Sequence, residues 1–184
     1  MGALVPGYTL MFLFFLLSNL ASSVVEERSQ GSLRRLLVTP ASKGAILVGK
    51  MLPFFFIAIV QMTFVLLVSS WIFDMPLGNS PLALALMILA TSATVATLGI
   101  MVAALVKTEN QAGGITILIV LVMAVISGSI SDSVILWGPN FVTPHYWARM
   151  GILNVIQRGM GVDGVLLGMS VVFFIIGARR FKFL

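Results

Sequence analysis

The chain has 184 residues, 59% of them hydrophobic and 9% charged, with a mean hydropathy of +1.11. An ordinary soluble domain carries roughly 25% charged residues, so this composition excludes a water-soluble globule. The absence of cysteine and the single histidine exclude a disulfide framework, a thiolate metal site and an imidazole metal site, and the net charge of +5 sits between and after apolar runs, which speaks for membrane topology and against nucleic acid.

Crossing a hydrocarbon core of roughly 30 Å takes about 20 residues of helix, and the spacing of the charges leaves about five such runs. The fold class is therefore all-α, a polytopic helical membrane protein. The first run covers about Val5–Val25, and nothing basic precedes Arg28, which argues against a signal peptide. From Glu26 to Lys50 the composition changes: Glu26, Glu27, Arg28, Arg34, Arg35, Lys43 and Lys50 are punctuated by Gly31, Pro40 and Gly44. Leu33, Leu36 and Leu37 recur at helical spacing, predicting a short amphipathic helix over Ser32–Val38 that Thr39-Pro40 ends.

Further spans are predicted over about Met51–Phe73, Leu82–Val106 and Ala112–Leu136, joined by short breaks and free of internal charge except Asp132. The stretch from Ser127 to Asp163 is too broken by Gly and Pro to span. Thr143-Pro144 reads as an N-cap and first helical position, and Tyr146, Trp147, Met150, Leu153 and Ile156 would form one face of a re-entrant or interfacial helix. A last span, about Val162–Ala178, is followed at once by Arg179-Arg180-Phe181-Lys182.

Placing the connector inside gathers Arg28, Arg34, Arg35, Lys43, Lys50, Lys107, Arg179, Arg180 and Lys182 on the cytoplasmic side and leaves Arg149 and Arg158 outside. That asymmetry satisfies the positive-inside rule and puts the C-terminus in the cytoplasm and the N-terminus outside. Tyr8, Trp71, Trp137, Tyr146 and Trp147 then fall at the outer interface, where amphipathic rings are favoured.

No ionisable group falls in the middle of a predicted span, which weighs against an ion-coupled carrier. Gln61, Thr63, Thr91, Ser92, Thr94, Thr97 and Thr116 are read as helix-packing groups, and His145 as an interfacial histidine. Gly164 and Gly168 form a GxxxG able to bring two helices close. No phosphate-binding loop is present, so the chain is not expected to hydrolyse nucleotide, and no catalytic, cofactor or metal residues are assigned.

The connector carries a family resemblance. Glu26-Glu27-Arg28-Ser29-Gln30-Gly31-Ser32-Leu33-Arg34-Arg35-Leu36-Leu37-Val38-Thr39-Pro40, followed by Gly49-Lys50-Met51-Leu52-Pro53, resembles the ABC-2 type permease pattern. Val5-Pro6-Gly7, an outer re-entrant region with Pro144 and Trp147, and the basic tail fit the same family. The resemblance implies a permease that pairs with a second permease copy and is driven by a separate cytoplasmic ATP-binding subunit, which would hold the ATP and Mg. It also implies that the connector holds the coupling helix. Glu27, Arg28, Arg34 and Arg35 are the docking candidates, and Leu33, Leu36 and Leu37 the anchors; Glu26, Gly31, Ser32, Thr39 and Pro40 complete the segment. Pro144, Tyr146 and Trp147 are the candidates for an outer gate or interface. Family members normally have six spans, so this chain is expected to lack the family's first helix. The expected function is ATP-driven export of an amphipathic or lipid-like molecule across the bacterial cytoplasmic membrane. The alternatives are a membrane anchor that recruits a cytosolic protein, or a charge-free channel. Contact with anionic lipid is the simplest competing role for the connector itself.

Overall fold

The computed structural model describes residues 4–36, 38–130, 140–159 and 163–181, and not the side chains of Leu4, Arg34 and Asp163. Expectations for Leu37, Asp132, Trp137 and Lys182 lie outside the described residues. The described elements are helical: α1 (Leu4–Phe14), α2 (Leu16–Ser29), α3 (Ser32–Leu36), α4 (Lys43–Phe73), α5 (Pro81–Leu105), α6 (Glu109–Ile126), a 3-10 turn (Asn140–Val142), α7 (Pro144–Arg158) and α8 (Asp163–Arg180). The α1–α2 junction barely interrupts the rod, because Phe15 keeps a helical backbone (φ −62°, ψ −19°).

Local chemistry explains most helix starts. Ser42, Ser80, Thr108 and Thr143 each turn a side-chain oxygen back to accept from the backbone N–H three residues on, satisfying one orphan donor of α4, α5, α6 and α7. Pro81 and Pro144 occupy first-turn positions where a missing N–H costs nothing.

Two helices outrun their sequence-predicted boundaries for one reason. α2 continues through Glu26, Glu27 and Arg28 to Ser29, and α4 begins at Lys43 rather than Met51, so the true connector is only Gln30 to Ser42. Charge marks where a helix leaves an apolar layer and does not end the helix. At 1.5 Å per residue the 31 residues of α4 reach about 46 Å, well beyond a core of roughly 30 Å. Its first turns therefore stand clear as a stem, and Pro53 leaves the Gly49 carbonyl without its helical donor at the base of that stem. α6, conversely, stops at Ile126 instead of Leu136; just beyond it Gly128 adopts φ +71° and the Ser127 and Ser129 hydroxyls pair at 2.9 Å.

Among the described residues, four helical rods are long and apolar enough to cross a membrane: Val5–Ser29, Lys43–Phe73, Pro81–Leu105 and Glu109–Ile126. α8 is uncharged between Asp163 and Arg179 and packs along α5. α5 is the central post, buried along most of its length against α2, α4, α7 and α8. Outward-facing Phe56, Val60, Phe64 and Leu67 of α4 and Val171, Val172 and Ile175 of α8 leave an apolar perimeter suited to lipid.

The intramembrane polar groups serve packing at two places. The Thr94 hydroxyl lies 3.0 Å from the Leu166 carbonyl, joining α5 to α8, and Gln61 Nε2 donates to the Phe12 carbonyl at 3.2 Å, joining α4 to α1. Thr91, Ser92 and Thr116 are buried without a described hydrogen-bond partner. Gly164 and Gly168 have open space around them, whereas Gly177 meets the α5 backbone, a Cβ there standing 3.2 Å from the Met101 Cα. The close approach of α8 to α5 thus uses a glycine outside the GxxxG. Thr94→Val keeps the volume and deletes the α5–α8 bond, and is expected to cost about 1 kcal/mol in detergent unfolding. An unchanged midpoint would remove that bond from the account of helix pairing.

Candidate functional site

The connector is held from beneath. Gly31 takes φ +75°, a left-handed conformation that a β-carbon disfavours, and turns the chain from α2 into α3. Leu33 of α3 is fully buried in a cluster with Leu20, Val24, Ile46, Leu47 and Val106, and Leu36 packs on its edge. The cluster that takes in Leu33 draws its members from α2, α4 and the end of α5. The Arg34 side chain and Leu37 lie outside the described residues.

The charged residues divide into two groups. Glu27 forms an ion pair with Lys50 on the α4 stem. Arg28 reaches the C-terminal end of α5, donating from Nη2 to the Val106 carbonyl at 2.6 Å and the Lys107 carbonyl at 3.4 Å, and from Nη1 to the Ala103 carbonyl at 3.4 Å. These carbonyls are the orphan acceptors of the helix end, where a cation also opposes the negative pole of the helix. Both side chains are thus committed inside the subunit, and the sequence reading of them as docking contacts missed those partners.

What remains outward is narrower. Glu26 accepts from Gln30 Nε2 at 2.9 Å and is exposed, Arg35 is exposed, and Ser32 is half-buried. At the apex Val38 is 88% exposed, flanked by exposed Thr39 and Pro40; the Thr39 hydroxyl donates to the Leu36 carbonyl at 2.6 Å and ends α3. Val38, Thr39 and Pro40 thus form an exposed surface next to the buried Leu33.

The second candidate region lies on α7. Its far end meets the α4–α5 loop: a methyl on Gly78 would overlap the Val155 carbonyl, and Gly159 faces Ser80. Its near end lies deep among the helices, where the His145 and Phe14 ring centroids are 3.9 Å apart and Phe14 falls well inside the Val5–Ser29 rod. α7 therefore re-enters the bundle instead of lying on it. The buried face is Pro144, His145, Ala148, Arg149, Gly151, Ile152 and Val155, more than a third of a turn from the face expected from Tyr146, Trp147, Met150, Leu153 and Ile156, which are all half-buried.

His145 is accordingly not interfacial: it is fully buried, and neither ring nitrogen has a described partner. Arg149 is buried one turn later. The 3.6-residue recurrence of Ala148, Ile152 and Val155 with both residues was the available signal. Pro144 is buried at the deep end; Tyr146 and Trp147 contact each other edge to face at 5.5 Å, and Trp147 Nε1 donates to the Phe141 carbonyl at 2.6 Å. Pro144 therefore sits at the buried end of α7, with the half-buried Trp147 beside it.

Comparison with known proteins decides what this bundle is. The family model described as ABC-2 family transporter protein matches residues 1–179. The chain belongs to the ABC-2 transporter family. Among curated ABC-2 relatives, it is 28% identical over 188 residues to the linearmycin resistance permease protein LnrN of Bacillus subtilis (strain 168), covering 96% of this chain and 48% of that protein. It is 31% identical over 90 residues to the probable multidrug ABC transporter permease YbhR of Escherichia coli (strain K12), covering 49% of this chain and 24% of that protein. The chain thus spans half or less of the length of the curated relatives it matches. No solved structure matches it. The family match and the four apolar rods agree on a multi-pass membrane protein of a transporter family.

Proposed function

We propose that the chain is the permease half of an ATP-driven exporter of amphipathic or lipid-like molecules, with the connector from α2 to α4 as its coupling element. The observation that carries the reading is a division of labour: Leu33 buries the connector, Glu27 and Arg28 tie the end of α2 beneath it to α4 and to the end of α5, and Arg35, Val38, Thr39 and Pro40 of the connector are exposed. ATP and Mg would be held by a separate cytoplasmic ATP-binding subunit, and a second permease copy would complete the pathway. α8 serves as the fifth span, the connector and C-terminus lie in the cytoplasm of a bacterium, and α7 with Pro144, Tyr146 and Trp147 gates or lines the outer half. Resistance and multidrug transport in the names of the two relatives support an amphipathic cargo.

The test is copurification of the full-length protein in lipid with the ATP-binding subunit encoded beside it, followed by ATPase assay. Arg35→Glu and Val38→Asp are each expected to weaken subunit binding about tenfold, equivalent to about 1.4 kcal/mol, while leaving the permease itself as stable as before. If no ATP-binding subunit accompanies the intact protein, the exporter reading fails and a membrane anchor for some other cytosolic protein takes its place.

A further inference from the structure

A slot of about 320 Å³ runs along α5 between α6 and α8. Leu98, Met101 and Leu105 form its back, Ile119 and Met123 one wall, and Phe173 of α8 the other. Its upper end is closed by Val142, Thr143 and Pro144, the deep end of α7. Among the described residues the one polar side chain in the lining, Thr143, is already engaged: its hydroxyl donates to the Asn140 carbonyl at 2.8 Å and accepts from the Tyr146 N–H. The described lining therefore offers an occupant apolar contact, which suits a hydrocarbon chain. It opens sideways past exposed Leu105, Ile115 and Val142, toward the surface that faces lipid.

The lower end of the slot carries charge of one predominant sign. Val106 lines the slot, and Lys107, the next residue, is exposed. Phe181 is buried in the same cluster as Val106 and Ala112, so the exposed Arg179 and Arg180 that precede it stand at the same end. The Arg28 guanidinium, bound to the Val106 and Lys107 carbonyls, adds to that potential; Glu109 at the start of α6 offsets only part of it. An apolar slot one leaflet deep that ends in clustered cations at the edge of a bilayer is complementary to one class of molecule, since each such cation near a membrane surface attracts anionic lipid by about 1 kcal/mol.

We infer that the slot between α6 and α8 binds one anionic phospholipid, an acyl chain lying along Met101 and Ile119 and the phosphate resting against Lys107, Arg179 and Arg180. The site requires only that the chain spans a membrane, and it stands or falls independently of the exporter reading because its test uses no ATP-binding subunit.

The experiment is native mass spectrometry of the full chain released from nanodiscs of mixed phosphatidylglycerol and phosphatidylcholine. One retained phosphatidylglycerol is expected. The combined Lys107→Gln, Arg179→Gln and Arg180→Gln variant is expected to lower the preference for phosphatidylglycerol about tenfold or more. Ile119→Trp, which fills the slot, is expected to abolish the retained lipid, while Leu118→Trp on the exposed side of the same helix leaves it in place. Met123→Trp fills the upper part of the slot and replaces Ile119→Trp should that variant lose its helical circular dichroism. Retention of phosphatidylglycerol by both slot-filling variants would overturn the site and leave only a basic surface dressed with annular lipid. Equal retention of phosphatidylcholine by the wild type would equally overturn the anionic assignment.

Discussion

Arg28→Ala is expected to lower the thermal midpoint of the purified protein by about 6 °C, whereas Arg35→Ala, two turns further on, leaves it unchanged. Arg28 makes hydrogen bonds to three carbonyls at the end of α5. A hydrogen bond to a charged group contributes about 1.5–3 kcal/mol net, and its loss also leaves the Val106 carbonyl, next to a buried apolar cluster, without its donor. Arg28→Lys should recover part of the loss, because one ammonium retains the charge at the helix end but cannot span acceptors a turn apart. Differential scanning fluorimetry on the three variants in one detergent decides the matter. Equal midpoints for Arg28→Ala and Arg35→Ala would return Arg28 to the pool of outward docking residues.

That contrast locates what sequence could and could not reveal. Thr143-Pro144 marked the start of α7 correctly because a cap and a first-turn proline act within four residues of chain. The apolar runs marked the spans because the bilayer imposes length and composition together. The family pattern in residues 26–40 pointed to the segment that the fold presents outward at Arg35 and Val38. Arg28 was legible as a cation beside the membrane, but its acceptors lie 75 to 79 positions away, and no local pattern encodes such a pairing. The same holds for His145: the periodicity of α7 fixes which residues share a face, but not that the face meets Phe14. Helix ends α2 and α4 were misjudged because charge was equated with connector, although a helix crossing out of lipid keeps its hydrogen bonds and changes only its side chains.

The sharpest single-site effect is expected at Gly78, in the loop between α4 and α5. Its φ of +83° lies in the region that glycine enters freely and other residues enter at about 1–3 kcal/mol. Space is missing as well: a β-carbon would overlap the Val155 carbonyl and come within 3.2 Å of the Ile156 Cα, both backbone atoms of α7 that cannot swing aside. Overpacking of this kind adds about 1–3 kcal/mol, so Gly78→Ala is expected to cost about 3 kcal/mol in all. Relief by moving the outer end of α7 would shift the deep end where His145 meets Phe14 and Pro144 closes the slot. The connector proposed for coupling lies at the other end of α4 from this loop. Gly78→Ala should therefore keep binding of the ATP-binding subunit while losing transport, the inverse of Arg35→Glu, and a paired binding and efflux assay reads both. Loss of binding together with transport would mean that the two ends of the bundle cannot be perturbed separately, and the assignment of α7 to the outer half of the pathway would be withdrawn.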